Sequence, residues 1–383
     1  MKIDSLFWSR ETGWQFRKEN IENRKNVDIV FLFGVAKEIR ENLYFDGIRE
    51  LYPNAILVGG SSAGTIYRDE IFDSGVVASA LQLEKSRVKL AVATLEDISK
   101  SFEIGKNIVQ QLMDEDLRHI VVLSDTININ GSEFVKGLNS ETDSKIPISG
   151  GILAEETRNF SHAYVIADRP AKKLLAIGIG FYGDIDTFYG SDSGWDDFGI
   201  ERVITKSSGN IVYEIDGKPA LDLYKKYLGD FQKDLPVGGL RFPLNVWEDG
   251  DIENSKPVIR TLMAINEEEK SLTFVGDVPE GAMARLMKTN IDGLIDGSEN
   301  AIKMTGFQPS NIPSYCLAVS CIGRRLVLNQ LTEEELSVLL EHVGDEVEIT
   351  GFYSYGEIAP FSKELKNCRF HNQTMTLTLI QEK

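Results

Sequence analysis

The sequence predicts a mixed α/β protein in which a strand-helix-strand-strand-strand unit occurs twice and is followed by a related C-terminal α/β domain. Apolar runs typical of buried strands alternate with segments of helical periodicity, which favours mixed sheets with helices on their outer faces. Shifting the chain by 91 residues places Val30–Leu32 on Val121–Leu123 and the pair Gly59-Gly60 on Gly150-Gly151. Because the order of elements matches as well, we interpret the two stretches as an internal duplication.

The first unit, residues 27–95, begins with the apolar run Val27–Phe33, which is typical of a strand covered on both faces. A helix follows, because apolar residues recur at helical spacing until Pro53. Strand Ala55–Val58 comes next, and Gly75–Leu83 and Arg87–Ala93 predict two strands close enough to form a hairpin. Residues 1–26 are polar and irregular, so they are predicted to be an N-terminal extension.

The second unit, residues 100–183, repeats this order. A helix around Ile108 leads to a strand at Ile120–Leu123, and a short helix around Phe134 follows it. Strands at Ala163–Ile166 and Leu174–Ile179 complete the unit, and residues 184–228 are a connector. Residues 27–228 are therefore predicted to form an N-terminal domain.

The predicted C-terminal domain, residues 229–383, starts in a stretch rich in glycine and proline. Apolar spacing from Met283 to Ile302 predicts a long helix, and Leu317–Ser320 and Arg325–Leu328 predict strands. Thr332–Glu335 has the pattern of a capping box at the start of another helix. The following glycine turn and strand repeat the order of each N-terminal unit, with Gly356 at a point comparable to Gly64.

The amino-acid composition argues against some classes of binding partner and against a membrane-spanning protein. The 383 residues include 59 acidic and 41 basic side chains, a formal net charge of -18, which repels phosphate backbones and anionic lipids. The N-terminus lacks the pattern of a signal peptide, and no apolar run reaches the roughly eighteen residues of a membrane-spanning helix. Three cysteines are an odd set for a disulfide framework. We expect a cytoplasmic protein whose main partner is neither nucleic acid nor membrane.

Two neighbouring motifs near the C-terminus carry most of the polar and aromatic side chains that could form a site. Gly351–Ile358 reads GFYSYGEI, and Phe370–Thr374 reads FHNQT, directly before an alternating strand. Buried amide, imidazole and carboxyl groups need hydrogen-bond partners. The residues alone leave two interpretations open: a satisfied structural network, or a pocket that binds a ligand.

These two motifs resemble the C-terminal signature of the FIST family, and the stretches Glu214–Tyr224 and Cys321–Arg325 agree with it. The resemblance runs from about Val27 to the C-terminus. It implies a sensory module of signal-transduction proteins that binds a small molecule such as an amino acid. It also implies a partner such as a histidine kinase or a cyclic-dinucleotide enzyme. Because some FIST-like proteins bind haem, a haem sensor for nitric oxide or redox state is the alternative, with His371 as the candidate ligand.

The candidate ligand-binding residues combine charged, aromatic and amide groups on the two motifs and on the helix-strand stretch before them. A guanidinium suits a carboxylate, and acidic and amide groups suit an ammonium, so the set could hold a zwitterion of amino-acid size. The candidates are Arg324, Tyr353, Tyr355, Gly356, Glu357, His371, Asn372 and Gln373.

A second set of candidates comes from a literal G-x-S-x-G sequence, the pattern of the nucleophile elbow in hydrolases. Its residues are Gly60, Ser61, Ser62 and Gly64. The elbow requires a helix directly after the serine, whereas Thr65 leads towards another strand, so we interpret the glycines as a turn and keep a serine hydrolase as the second alternative. The histidines show no spacing typical of a metal site. We therefore expect no metal, no required cofactor and no enzymatic activity.

Overall fold

The computed structural model describes residues 1–142, 145–156, 161–361 and 366–383. In chain order the strands are β1 (Lys2–Ser9), β2 (Gly13–Lys18), β3 (Ile29–Val35), β4 (Ile56–Ser62), β5 (Thr65–Tyr67), β6 (Glu70–Phe72), β7 (Val76–Gln82), β8 (Ser86–Thr94), β9 (Leu117–Ser124), β10 (Ile148–Ile152), β11 (Val165–Ala167), β12 (Leu175–Gly183), β13 (Ile185–Asp192), β14 (Asp196–Ser208), β15 (Ile211–Ile215), β16 (Lys218–Pro219), β17 (Leu244–Trp247), β18 (Val258–Arg260), β19 (Leu262–Asn266), β20 (Ser271–Phe274), β21 (Met283–Lys288), β22 (Ser314–Cys321), β23 (Val347–Ser354), β24 (Gly356–Pro360), β25 (Cys368–His371) and β26 (Met375–Glu382).

The α-helices are α1 (Ala36–Glu41), α2 (Phe45–Leu51), α3 (Ser101–Leu112), α4 (Gly131–Asn139), α5 (Ala220–Leu228), α6 (Ile291–Thr305), α7 (Ile322–Leu328) and α8 (Glu334–Val343). Short 3₁₀ helices lie at Arg24–Asn26, Ile98–Lys100, Gly229–Asp234, Val237–Arg241 and Asn329–Leu331. Within the described ranges, none of these helices combines the length and the apolar character needed to cross a membrane.

Three sheets form the body of the protein, and they share one topology. Their central strands are β4-β3-β7, β10-β9-β12 and β23-β22-β26. In each sheet the first two strands of the unit pair in parallel, and the third pairs antiparallel with the first. The predicted mixed α/β class is confirmed, and the C-terminal domain contains a third copy of the repeated topology.

The three units exchange strands in a cycle. The segment after each second strand joins a neighbouring sheet: β5 pairs with β23, β11 with β4, and β24 with β10. The other edge of each sheet is built in the same way, since β1, β8 and β13 pair antiparallel with β7, β12 and β26. Each sheet is therefore completed by strands from outside its own unit, and the body folds as one interdependent structure.

Glycines mark equivalent positions in the three units. Gly59, Gly150 and Gly351 each stand directly opposite a residue of the neighbouring parallel strand, namely Leu32, Val122 and Ala318. A Cβ atom at any of the three glycines would collide with the carbonyl oxygen of that opposite residue. The close approach of two backbones explains why glycine recurs there. The predicted equivalence of Gly59 and Gly150 is confirmed, but the predicted turns are wrong, because both glycines lie inside strands β4 and β10.

The core lies between the three sheets. Alternate residues of each first strand point towards it, including Phe31 and Phe33, Val121 and Leu123, and Leu317 and Val319. Their neighbours along the strand point outward into two further apolar clusters, which pack beneath the helices. Both faces of these strands are buried, as the continuous apolar runs in the sequence predict.

The chain leaves the body after β13 and returns with α6. Between these elements, residues 196–288 form an eight-stranded sheet, which we call the excursion sheet, with the order β18-β17-β21-β14-β15-β20-β19 and with β16 beside β15. Helix α5 packs on this sheet through Leu221 and Tyr224. The boundary predicted at residues 228/229 falls within the excursion sheet, because β14, β15 and β16 precede it in sequence and the other five strands follow it. The two predicted domains therefore share this sheet.

Four local predictions are wrong. Residues 2–9 and 13–18 are strands and not an irregular extension, because β1 pairs with β7 and its charged Asp4 is buried against Tyr52 and the amides of Asn20 and Ile21. The strands β7 and β8 belong to different sheets and form no hairpin.

The other two errors concern elements of the C-terminal half. The segment from Met283 is strand β21, and the helix α6 begins only after Asn290, whose side chain accepts a hydrogen bond from the Gly293 amide. Residues Arg325–Leu328 belong to helix α7, which follows β22 directly, as α1 follows β3. Periodicity in short apolar segments does not separate strands from buried helices, which explains both errors.

Candidate functional site

The predicted ligand-binding residues gather around the ends of β22 and β23. Helix α7 begins after Cys321, strand β24 begins after Tyr355, and the turn Asn372–Thr374 connects β25 to β26. The candidates lie on these elements or, in the case of Tyr355, between β23 and β24, so the structure brings the two motifs to one end of the body. Their side chains divide into a closed network, a buried carboxyl cluster and the wall of a cleft.

The closed network surrounds Arg324. Its guanidinium donates four hydrogen bonds: Nε to Glu335 Oε2 at 2.9 Å, Nη1 to Ser193 O at 2.5 Å, and Nη2 to Leu294 O at 2.6 Å and Ser298 Oγ at 2.7 Å. Arg324 and Glu335 are both fully buried. These contacts occupy the guanidinium inside the protein and favour a structural role over binding of a ligand carboxylate.

Tyr353 belongs to the same network. Its Oη atom donates to Glu335 Oε1 at 2.7 Å, and Ser320 Oγ donates to the same oxygen at 3.0 Å. Burial, reinforced by the negative charge of Glu335, raises the pKa of Tyr353 well above its ordinary value. Tyr353 therefore remains a neutral donor that helps to hold Glu335.

Glu357 lies in a separate buried cluster. Its carboxyl group accepts hydrogen bonds from Ser354 Oγ, from the Thr374 amide at 3.1 Å and from Thr374 Oγ1 at 3.0 Å. Burial raises the pKa of Glu357 from 4.5 to about 7, although these bonds and one from Cys321 act in the opposite direction. Burial and the neighbouring Glu357 also raise the pKa of the Cys321 thiol well above its ordinary value, so this thiol is not an activated nucleophile.

The His371-Asn372-Gln373 run fastens the excursion sheet to the body. His371 Nε2 lies 3.1 Å from Ala359 O, and burial lowers the pKa of His371 to about 4. Asn372 Oδ1 accepts a hydrogen bond from the Thr261 amide at 3.2 Å, and Gln373 Nε2 donates to Leu240 O at 3.1 Å. Both partners belong to residues 229–288, so the motif connects the two parts of the chain.

Tyr355 and Gly356 lie beside the cavities at the junction between the body and residues 229–288. Tyr355 Oη donates to Glu155 Oε1 at 2.8 Å, which ties the third unit to the second. A Cβ atom at Gly356 would collide with the ring of Phe370, so glycine allows the chain to turn into β24 beside that ring. The phenol ring of Tyr355 forms part of the wall of two cavities.

Three neighbouring cavities follow the junction between the body and residues 229–288. The mouth groove, about 520 Å³, is lined by Phe231, Asp234, Val237, Gly238, Leu240, Arg241, Leu326 and Val327. The central cavity, about 270 Å³, is lined by Pro236, Val237, Leu240, Leu262, Met263, Ile322, Leu326 and Tyr355. The far cavity, about 320 Å³, is lined by Ile98, Thr126, Ile127, Ile129, Gly131, Ile152, Asn210, Met263, Val275, Tyr355 and Phe370.

Shared lining residues show how the cavities adjoin. Val237, Leu240 and Leu326 line both the mouth groove and the central cavity, and Met263 and Tyr355 line both the central and the far cavity. We call this series of three cavities the cleft. Binding sites occur preferentially at such junctions between parts of a protein.

Sequence reasoning missed several residues of this site. The capping box predicted at Thr332–Glu335 is wrong, because α8 begins at Glu334 without a side-chain cap and Glu335 is the buried partner of Arg324. Leu240, Met263 and Glu155 carried no motif. For Glu335 one signal existed, since an acidic residue followed by Leu336 and Leu339 on the same helix can face the core. The others are brought to the cleft only by the tertiary fold.

The G-x-S-x-G residues form the end of strand β4 and the bend that leads into β5. Ser62 Oγ donates to Gly64 O and accepts from the amides of Gly64 at 3.1 Å and Tyr353 at 3.2 Å. Strand β5 follows, so the helix of a nucleophile elbow is absent, as predicted. Ser61 Oγ donates to Ala154 O at 2.8 Å, and at Gly60 a Cβ atom would collide with Tyr164 O. These contacts join neighbouring units and give a hydrolase no support.

The histidines, cysteines and carboxylates give little support for a metal or haem site. Within the described ranges no group of three or more His, Cys, Asp or Glu side chains could hold a metal ion. His371 is buried, its Nε2 is hydrogen-bonded to Ala359 O, and its ring meets Phe361 edge-on at 5.1 Å, so binding of iron through Nε2 would require that bond to break. A haem ligand needs a free ring nitrogen that faces the iron.

Comparison with other proteins places the chain in a family. It is 25% identical over 409 aligned positions to the uncharacterized protein MJ1623 of Methanocaldococcus jannaschii, covering 94% of this chain and 75% of that protein. Among solved structures, a chorismatase overlays with a TM-score of 0.35 and 9% identity, covering 99% of this chain and 98% of the chorismatase.

A cyanuric acid hydrolase from A. caulinodans overlays with a TM-score of 0.36 and 9% identity, covering 100% of this chain and 99% of the hydrolase. Both overlays are too loose to carry an argument about fold or activity. The sequence matches are more specific: residues 28–218 match the FIST N domain, and residues 220–360 match the FIST C domain. FIST domains are associated with small-ligand sensing in signalling, and this chain belongs to the FIST family.

Proposed function

We propose that this protein is an intracellular sensor that binds a small, amino-acid-like molecule in the cleft and signals through a separate partner protein. The observation that carries the proposal is the position of Tyr355. This residue belongs to the family motif, and it lines both the central and the far cavity at the junction with residues 229–288.

The dimensions and chemistry of the cleft support a small ligand. Pockets that bind small molecules typically measure about 300–1,000 Å³ and combine apolar walls with a few polar groups. The central cavity has apolar walls apart from Tyr355, whose Oη atom is oriented by Glu155. A ligand there would contact both the body and the 3₁₀ helix Val237–Arg241 that contains Leu240, so its binding would affect how the two parts pack.

Transfer of the signal to a partner such as a histidine kinase or a cyclic-dinucleotide enzyme is the part of the proposal that rests on the family. The cytoplasmic location predicted from the sequence agrees with three free, buried cysteines. A haem sensor that used His371 Nε2 would first have to break its contact with Ala359 O, and a hydrolase would need a nucleophile other than Ser62.

The test is a thermal-unfolding screen against amino acids and related metabolites, because a ligand that binds only the folded state raises the unfolding midpoint. At a concentration about 100 times Kd, the expected stabilisation is roughly 2.7 kcal/mol. In Leu240→Trp the larger side chain fills the central cavity, so we expect the response to disappear while the protein remains folded.

The matched control is Leu43→Trp, an exposed position in the first unit, remote in the fold from the residues that line the cleft. It should keep the full response. A folded Leu240→Trp protein that is still stabilised as strongly as the wild type would contradict the proposed site.

A further inference from the structure

Strand β8 ends its sheet, and its outer edge pairs with no strand among the described residues. The sheet has the order β25-β24-β10-β9-β12-β8, so β12 is the neighbour of β8. The equivalent strand of the first unit, β1, has its outer edge covered by β2. The equivalent strand β13 also ends its sheet, but it carries Asp186 and Asp192 and no basic residue. A long open edge is a template for pairing with another chain.

The pairing with β12 determines which backbone groups of β8 form this edge. The Leu95 amide donates to Leu174 O at 2.9 Å, in the register of the two strands. Hydrogen-bonded and non-hydrogen-bonded pairs alternate in an antiparallel ladder. The amide and carbonyl groups of Val88, Leu90 and Val92 therefore point away from β12.

The charged side chains of β8 do not block the edge. A lysine on an edge strand commonly prevents pairing. Here Lys89 Nζ donates to Asp114 Oδ2 at 2.7 Å and lies 5.0 Å from the centre of the Tyr182 ring. Arg87 donates to Asp114 and Asp116 and lies 4.1 Å from the centre of the same ring. Both cations are thus held by their own chain, and their charges are balanced there.

A second copy of β8 fits this edge in antiparallel orientation. A two-fold axis at Leu90 places Leu90 opposite Leu90 of the second copy and Val88 opposite Val92, and all of these become hydrogen-bonded pairs. Val92 is 40% exposed, and Val88 and Leu90 are half-buried, so the pairing covers apolar surface as well as backbone.

The charges of β8 favour this register. With the axis at Leu90, Lys89 stands opposite Ala91 and Arg87 opposite Ala93, so like charges do not face each other. An axis at Lys89 would bring two lysines together. Because the whole chain has a net charge of -18, two copies repel each other over most of their surface, and a strip with balanced charge is where they can approach.

Helix α3 enlarges the surface that two copies would share. It packs on β8, and α4 lies beside it. The exposed residues in the C-terminal half of α3 are Asn107, Gln110 and Gln111, none of which is charged. A strip about 30 Å long and roughly 20 Å deep, counting strand and helix, buries on the order of 1,200 Å² in two copies together, which reaches the size of a specific interface.

We propose that β8 is the interface of a two-fold dimer, in which it pairs antiparallel with β8 of a second copy about Leu90. The two six-stranded sheets then become continuous. No residue of β8 lines the cleft, so this dimer and the proposed ligand site can fail independently.

The first test is the mass of the full chain in solution, measured by light scattering after size-exclusion chromatography. The wild type should have twice the mass of one 42.8 kDa chain. Val92→Pro removes an amide from the open edge and should give a folded monomer, because proline is tolerated where the N–H of an edge strand faces away from its sheet. Circular dichroism checks that the variant is folded.

A pair of double variants tests the same contact without proline. Val88→Lys with Val92→Lys places like charges opposite each other and should give a monomer, whereas Val88→Glu with Val92→Lys places opposite charges there and should restore the dimer. Val203→Lys, at an exposed valine of β14, is the control and should remain a dimer.

Cysteine crosslinking tests the register. Leu90→Cys should give a disulfide-linked dimer on oxidation, because the two-fold axis brings the two Cα atoms to about 5.5 Å. Val92→Cys should not, although Val92 is more exposed, because its two copies lie roughly 13 Å apart along the strands. The native cysteines are buried and should give no background.

A monomeric wild type overturns the proposal, and so does a dimer that survives both Val92→Pro and the double lysine variant. Crosslinking of Val92→Cys in place of Leu90→Cys also overturns it. A monomer that binds an extended segment of another protein along β8 would show that the edge pairs with a different chain and would overturn the assignment to a second copy.

Discussion

The Arg324 network and the cleft lie on opposite sides of the first turn of α7, and both contain residues that the sequence singled out. In the network, Arg324, Glu335 and Tyr353 are fully buried and bonded to one another or to backbone carbonyls. In the cleft, Tyr355 borders two cavities. The same kinds of side chain thus complete a core in one place and leave a cavity open in the other.

This difference shows how to read a polar, aromatic motif. The types of residue in a motif do not tell whether it forms a structural network or a binding site. The hydrogen-bond partners of each donor and acceptor do, because a structural network satisfies them inside the protein. Of the candidates, Arg324 and Tyr353 have contacts typical of structural residues, whereas Tyr355, which lines two cavities, has a position typical of a site residue. Mutations on the two sides should therefore affect stability and ligand response separately.

The largest effect is expected for Glu335→Ala. Removing this carboxylate leaves the Arg324 charge buried without its ionic partner and should lower the free energy of unfolding by roughly 3–5 kcal/mol. Urea unfolding measures the change, and Glu299→Ala, which removes a solvent-screened carboxylate paired with Lys303, should leave the free energy of unfolding nearly unchanged. A Glu335→Ala protein as stable as Glu299→Ala would show that the network is not structural.

An intermediate effect is expected from the buried carboxyl cluster between the two regions. The pKa of Glu357 is raised from 4.5 to about 7, so the folded state favours the protonated form. This contribution to stability is complete below pH 4.5 and is lost as the pH rises towards 7. The expected loss is on the order of 3 kcal/mol, because one pKa unit corresponds to about 1.4 kcal/mol.

The measurement compares unfolding free energies of the wild type and Glu357→Gln across this pH range. His371 works in the opposite direction, because its lowered pKa removes stability as the pH falls from 6.5 to about 4. It is present in both proteins, so their difference isolates Glu357. If the difference is independent of pH between 4.5 and 7, Glu357 has an ordinary pKa.

The smallest effect on stability is expected on the cleft side. Tyr355→Phe removes the hydrogen bond from Oη to Glu155 and should cost about 1 kcal/mol. If the cleft binds the ligand, this variant should also weaken ligand-induced stabilisation, whereas Glu335→Ala should leave that response intact. Tyr213→Phe, in the excursion sheet, is the control. An unchanged ligand response in Tyr355→Phe would limit Tyr355 to a structural role.

Much of the fold could be predicted from local patterns. Continuous apolar runs identified β3 and β9, and the paired glycines identified Gly59 and Gly150 as equivalent, because only glycine permits the backbone contact made there. The N-terminal strand β1 could not be found in this way, since its polar residues Asp4 and Ser5 have partners that lie far along the chain.

The candidate site, like the fold, has features that the sequence predicts and features that depend on the tertiary structure. By itself the sequence determined the family, the repeated unit and the motifs that contain Tyr355, Glu357 and Gln373. Only the tertiary structure decided which polar side chains have hydrogen-bond partners inside the protein. Glu335 accepts from Arg324 because α8 packs beside α7, and the Leu240 carbonyl accepts from Gln373 because residues 229–288 return to the body. The type of a residue determines which hydrogen bonds its side chain can form. Whether those bonds form depends on segments distant in sequence, and burial of the whole core determines which segments come together.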